Sequence, residues 1–270
     1  EDAKIKKFDE ILIDKFAESD VKQIVFGTYK PLDRFMSKKE IKLVLNKNKL
    51  LDGNIWTLPI VLPIKKKIKI NKNYNLLNTK NKILCSIKVD SIFNLDNDEL
   101  IKKWFSTDYS NHPGIKSLRS RGKYFISGKI TRPQFKNFTF QRFEVIPKKS
   151  KELIYLKGWQ TVIGFHTRNI PHQGHIFIQK RALKQVNADG IMLSPTVGLK
   201  KKGDFQNEFL IESYSEILQS KVHYKKAILC CLDIYSRYAG SREAVFTAIC
   251  RKNLGCTHFI IGRDHTGFKN

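Results

Sequence analysis

Two windows of the sequence gather residues able to handle an anion. The first is Gly164-Phe165-His166-Thr167-Arg168-Asn169-Ile170-Pro171-His172-Gln173-Gly174-His175, and the second is Gly262-Arg263-Asp264-His265-Thr266-Gly267. Four of the seven histidines fall inside them, so the histidines are concentrated rather than scattered. His172 and His175 are three residues apart, which on a first helical turn sends both side chains to one side. A helix N-terminus adds N–H groups and a dipole that favours negative charge. Gly174 carries no side chain to keep a phosphate from the backbone. Histidines so placed can stabilise charge developing on a departing phosphoryl group. Zinc is the competing reading, but no third ligand has the spacing for it.

Residues of this kind need rigid elements to aim them. From residue 160 onward, short apolar strands alternate with amphipathic helices. Strands are expected at Gln160–His166, Gly190–Ser194, Ala227–Leu232 and Thr257–Ile261. Helices are expected at His172–Val186, at Asn207–Leu218 and from an N-cap at Ser241 to Lys252, with Gly255 as the stop. That alternation predicts βαβ units and a parallel, doubly wound α/β sheet. Ligands bind such sheets outside the carboxyl ends of the strands, where both windows fall.

The first 150 residues read as mixed and β-rich. Ile11–Ala17 and Lys39–Asn46 carry short helical periodicity, while Trp56–Ile64, Ile83–Val89 and Tyr124–Ile130 read as strands. Lys65–Lys67 and the Asn/Lys stretch 71–82 read as exposed turns. Lys148-Lys149-Ser150-Lys151 is the expected linker, which divides the chain into domains 1–150 and 151–270.

Composition excludes several classes. The chain has 270 residues, 41% hydrophobic and 28% charged, as in ordinary globular proteins. Its longest apolar stretch, Ile55–Ile64, is short and holds two prolines, so no membrane partner is expected. The formal charge is +25, but only 11 of the 50 basic residues are Arg. Lysines on solvated faces or a basic field steering small anions account for this charge, and nucleic acid is disfavoured as a partner. The five cysteines form no C-x-x-C pair, and Cys230 and Cys231 sit in an apolar run. They point to a reducing, cytoplasmic setting. Organellar targeting stays open, since the chain starts at Glu1.

The motifs resemble those of the ATP sulfurylase (sulfate adenylyltransferase) family. His166-Thr167-Arg168-Asn169 followed by His172-x-x-His175 is similar to its Q-T-R-N…H-x-x-H segment, and Gly262–Gly267 to its G-R-D-H-A-G loop. Arg237–Ala244 resembles R-Y-A-G-P-R-E-A, and Arg251–Phe259 resembles R-K-N-x-G-C-T-H-F. Pro31–Met36 and Trp56–Leu62 resemble P-L-T-G-F-M and W-P-I-P-I-V-L, and Lys200–Asp204 fits the G-x-x-K-x-G-D loop. The resemblance implies a PUA-like N-terminal domain followed by a Rossmann-like catalytic domain. It further implies transfer of AMP from Mg-ATP to sulfate, giving adenylyl sulfate and pyrophosphate, with Mg²⁺ arriving on the nucleotide.

By resemblance His166, Thr167, Arg168, Asn169, His172 and His175 bind ATP or act in catalysis. His166, Arg168 and the Thr266 backbone bind sulfate. Gly262, Arg263, Asp264 and His265 line the nucleotide. Tyr238–Glu243 is either a nucleotide contact or a plain loop and helix start. Lys200-Lys201-Lys202 is either a steering patch or a solvated face.

His166 replaces the family Gln; it can still donate one hydrogen bond, but its protonation is expected to make oxyanion binding depend on pH. Gln173-Gly174 replaces the usual Arg-Ala, with the loss of one charge. Family catalytic domains run past the point where this sequence stops, so the expectation is a longer polypeptide whose C-terminal part lies beyond Asn270. The alternatives are another H-x-G-H nucleotidyltransferase with a different acceptor, or a non-enzymatic basic binding protein on a degenerate fold. A homo-oligomer stays open.

Overall fold

The computed structural model describes residues 8–95, 98–201, 203–219, 226–263 and 265. Contacts divide the chain into two compact units, 1–25 with 32–138 and 26–31 with 139–270.

Among the described residues, the first unit is a mixed sheet with four α-helices and a short 3-10 turn at Phe135–Asn137. Its strands are β1 (Asp9–Leu12), β2 (Arg34–Phe35), β3 (Leu62–Ile64), β4 (Asn73–Leu77), β5 (Ile83–Phe93) and β6 (Tyr124–Thr131). They run in the order β1-β4-β5-β6-β2, and β3 also pairs with β6. The helices are α1 (Lys15–Phe26), α2 (Lys38–Lys47), α3 (Asp98–Phe105) and α4 (Pro113–Ser120). The α2 helix lies where its periodicity places it, started by a capping box in which Ser37 and Glu40 satisfy each other's backbone N–H groups.

Three expectations for this unit change. Of the stretch 11–17 expected as helix, residues 11–12 belong to β1 and 15–17 to α1, because Asp14 accepts the Ala17 amide at 2.7 Å and so starts the helix only at Lys15. Only 62–64 of the 56–64 run is strand. Pro59 has no ladder donor, and the Trp56 indole is turned back to the Leu58 carbonyl at 2.6 Å. The stretch expected as turns contains β4, whose Tyr74–Leu77 are buried. Its asparagines are tolerated inside because Asn75 accepts from Ser86 and Asn78 closes the following turn by accepting from Lys80 and Lys82.

The second unit alternates strand and helix: α5 (Pro147–Leu156), β7 (Val162–Thr167), α6 (Gln173–Gln185), β8 (Gly190–Pro195), α7 (Asn207–Gln219), β9 (Ala227–Leu229), α8 (Ser241–Asn253) and β10 (His258–Ile260). The expected linker 148–151 lies instead in α5, where Ser150 is buried and donates to the Leu254 carbonyl at 2.7 Å. The four strands are all parallel, in the order β10-β7-β8-β9. Ile163, Phe165, Ile191 and Leu193 pack on one face with Ile176 of α6 and Leu210, Ile211 and Tyr214 of α7. On the other face Gly164 lies against Arg251 of α8, and Cys256 against Met192.

The two ends of α8 are closed by different means. Its N-cap is Gly240, not Ser241. In place of a cap hydroxyl, the buried Glu243 carboxylate accepts the Arg237 and Ala239 amides at 2.9 and 3.0 Å. Gly255 ends the helix as expected, at φ +105°, with Cys256 N–H returning to the Arg251 carbonyl. No helix among the described residues is long and apolar enough to cross a membrane.

Candidate active site

In the order β10-β7-β8-β9 the chain leaves β7 toward β8 on one side and later returns to β10 on the other. The switch point of the sheet is therefore the crevice between the carboxyl ends of β7 and β10. The two polar windows begin there, one after Thr167 and the other after Ile260. The structure brings them together: the His166 and His265 rings lie 4.9 Å apart.

The β7–α6 loop is held by its own side chains. The Thr167 hydroxyl accepts the Asn169 amide at 3.0 Å and donates back to the Asn169 carbonyl at 3.2 Å, which fixes the turn that carries Arg168. Arg168 is half-buried, and its Nη1 is buried without a hydrogen-bond partner. Its guanidinium lies 6.0 Å from the Tyr238 ring, and the Lys201 ammonium lies 5.5 Å from the same ring. Tyr238 is held at φ +60°, uncommon for a bulky residue, between the inward-turned Arg237 and the Gly240 cap. Arg237 is buried, stacks 4.0 Å from the Tyr235 ring and donates to the Tyr29 hydroxyl at 3.3 Å. Within Arg237–Ala244, then, Tyr238 faces the site and Arg237 faces the core.

His172 is the N-cap of α6 and His175 lies on its first turn. Their rings stack at 3.7 Å and 30°. Gly174 has a further use, because a Cβ there would lie 3.1 Å from Cε1 of His172. The missing side chain makes room for the imidazole. His175 also meets Phe165 edge-on at 5.1 Å, and its Nδ1 is buried without a hydrogen-bond partner. Burial and the neighbouring His172 bring the His175 pKa down to about 4. Burial, Arg251 and Arg168 do the same for His265, also to about 4.

His166 corrects an expectation. Burial first, then the charges of Arg251, His265, Arg168 and Lys200, hold its pKa well below the usual value. That direction opposes the protonation expected of it and argues against a pH switch there. Lys200 is likewise no solvated lysine. Its ammonium donates to the Thr196 carbonyl at 2.6 Å, and burial lowers its pKa, with the charge of Arg168 adding to the effect. Gly262 and Arg263 are exposed, while Asp264, Thr266 and Lys202 lie outside the described residues.

Sequence reasoning left out two participants, Tyr238 as the platform under Arg168 and the buried Arg251. Tyr238 sits inside a quoted motif, but its exposure to the site depends on the Glu243 loop. Arg251 reads in the sequence as one more basic residue of a helix.

Metal fit follows from donor chemistry. The described side chains around the crevice are imidazoles, guanidinia and ammonium groups, whereas Mg²⁺ takes oxygen ligands. Among the described residues, no three His, Cys, Asp or Glu gather to hold a metal ion. The described residues do not fit a resident Mg²⁺.

These features define the class: a Rossmann-like α/β protein with a cluster of cationic and imidazole side chains at the switch point of its sheet. Residues 141–270 match the ATP-sulfurylase family model, and residues 1–134 match that of the PUA-like domain. The chain is 36% identical over 264 residues to the sulfate adenylyltransferase of Pyrococcus abyssi, covering 98% of this chain and 69% of that one. It is 36% identical over 262 residues to that of Thermococcus onnurineus, covering 97% and 69%. A solved structure described as a hexameric APS kinase from Thiobacillus denitrificans shares the fold at a TM-score of 0.75 and 18% identity. That match covers 96% of this chain and 48% of the other. The chain belongs to the ATP sulfurylase (sulfate adenylyltransferase) family.

Proposed function

We propose that the chain transfers AMP from Mg-ATP to sulfate, releasing adenylyl sulfate and pyrophosphate. The observation that carries this reading is the buried, unbonded Nη1 of Arg168 at the switch point, set among neutral histidines and Lys200. A site built this way fits the meeting of two anions without a base.

Sulfate is fully ionised at neutral pH, so its attack on the α-phosphorus needs no proton removed. One sulfate oxygen forms the new P–O bond, and the bond to the β-phosphate oxygen breaks. The electron pair leaves with pyrophosphate. The protein's work is to hold two mutually repelling anions in line and to cover the charge on the leaving group. Arg168 binds sulfate, because its planar fork matches an oxyanion bidentately. Thr167 keeps the loop in shape, while Asn169 and the α6 N–H groups face the α-phosphate. His172 and His175, the latter neutral, meet the β- and γ-phosphates as hydrogen-bond donors. Gly262, Arg263, Asp264 and His265 line the nucleotide, and Thr266 N–H donates to sulfate.

Mg²⁺ enters as part of the substrate. A homo-oligomer and a cytoplasmic location belong to the same reading. All five cysteines are buried and form no disulfide, which suits a reducing compartment.

The test is coupled release of pyrophosphate and adenylyl sulfate from Mg-ATP, with and without sulfate, in the wild type and His172→Ala. Release that requires sulfate and collapses in the variant supports the reading. Release without sulfate, or full activity in the variant, contradicts it.

A further inference from the structure

Arg251 is the odd charge of the second unit. It sits on α8, is completely buried and makes no bond to a carboxylate among the described residues. Its Nε and Nη1 are buried without partners. A lone guanidinium in a protein core is strongly disfavoured, and this one is not offset by an ion pair. What it does reach is specific. Its Nη2 lies 3.0 Å from Nδ1 of His166 and donates to the Ser194 carbonyl at 3.0 Å.

The backbone is shaped for that reach. His166 and Ser194 are register partners across β7 and β8, so the two acceptors stand side by side. Two residues back on the same face of β7 is Gly164, where an added Cβ would lie 3.2 Å from both Cβ and Cγ of Arg251. The glycine leaves the channel through which the arginine stem crosses the strand. Arginine has donors only, so the His166 nitrogen it meets must present a lone pair. The ring proton then resides on Nε2.

We propose that Arg251 is a positioning residue that locks His166 as the neutral, Nε2-protonated tautomer, giving the oxyanion one fixed donor in place of an amide. Sulfate as that oxyanion rests on the function proposed above; the tautomer does not. Among the described residues, the groups that face His166 are Arg251 from α8, Arg168 beyond β7, Lys200 beyond β8 and His265 beyond β10, with no carboxylate among them. All of them oppose a second proton on the ring. Arg251 itself keeps its proton at neutral pH, since burial brings its pKa down only to about 10. The pair does for a histidine what a glutamine would do by its covalent structure: it donates, and it does so independently of pH.

Long-range proton–nitrogen spectra of the histidine-labelled full chain test this, with the His166 signals assigned by their loss in His166→Gln. The expected result is an unprotonated Nδ1 and a protonated Nε2 from about pH 5.5 to about 8.5. In Arg251→Met the Nδ1–H tautomer should appear beside the Nε2–H form and the ring's pKa should rise, while burial and the remaining cations still oppose a second proton. The sulfate KM should rise roughly tenfold at about pH 8 and become pH-dependent, with the ATP KM within roughly twofold of wild type. An Nδ1–H tautomer or an imidazolium in the wild type at neutral pH overturns the proposal. So does an unchanged tautomer and an unchanged pH profile in Arg251→Met. Should that variant not fold, the wild-type spectrum decides alone. The spectrum needs no turnover, so a wrong acceptor shows as absent pyrophosphate release beside an intact Nε2–H signal.

Discussion

The His172 imidazole lies over Gly174 and stacks on His175 with ring centroids 3.7 Å apart. This contact fixes where two donors stand at the N-terminus of α6, and it depends on the absence of one methyl group.

Gly174→Ala therefore separates activity from stability. The new Cβ would come within 3.1 to 3.2 Å of the His172 ring, which must shift. The expected outcome is a kcat lower by roughly tenfold, since small displacements of a positioning group are costly. Stability should stay level or rise by about 0.5–1 kcal/mol, as helical Ala exceeds Gly. Steady-state rates beside thermal melts check both, and an unchanged kcat would contradict the role given to the stack.

Acid should weaken the fold before it touches the carboxylates. His175 and His265 have folded pKa values of about 4 against an ordinary 6.5. Between those values the unfolded chain binds protons that the folded chain refuses, so stability falls as pH falls through that window and is level above it. Melting temperature measured from about pH 7.5 to about 4.5 should show the decline, with a shallower slope in His175→Gln. A flat profile, or the same slope in the variant, would mean that the rings are not held neutral.

Tyr238 offers its ring face to Arg168 and Lys201 at 6.0 and 5.5 Å. Tyr238→Phe keeps that face and should leave the sulfate KM within about twofold, whereas Tyr238→Ala should raise it roughly tenfold. Equal losses in both variants would assign the effect to the hydroxyl instead.

In the first unit, Gly128 on β6 stands opposite Val89 and Phe35. A Cβ there would run into the Lys88 carbonyl oxygen and lie 2.9 Å from the Ile87 side chain. Gly128→Ala should cost more than about 3 kcal/mol in urea unfolding, or prevent folding altogether. A cost below about 1 kcal/mol would show that the strand pair gives way easily.

What the sequence disclosed divides along physical lines. The parallel sheet was legible because strands such as Gly190–Pro195 are buried throughout and follow helices with a clear apolar face. The candidate site was legible because His166, Arg168, His172, His175 and His265 are local clusters at strand ends. In contrast β4 was hidden, since Asn75 and Asn78 read as turn residues until Ser86 and the backbone amides that satisfy them are known. Arg251 was hidden for a related reason. Its meaning depends on Gly164 and on the register of His166 with Ser194, which are 85 and 57 residues away in the chain. The pH sensitivity expected of His166 failed on the same ground, because a titratable ring takes its character from neighbours that only the fold supplies.

The central claim is that Arg168 receives sulfate at the switch point of the sheet. The most direct measurement compares wild type and Arg168→Ala for pyrophosphate release from Mg-ATP over a range of sulfate, with ATP affinity followed by calorimetry. The account predicts turnover lost by at least roughly a hundredfold, with ATP bound within a few-fold of wild type. Near-normal release in Arg168→Ala, with the same dependence on sulfate, would contradict it.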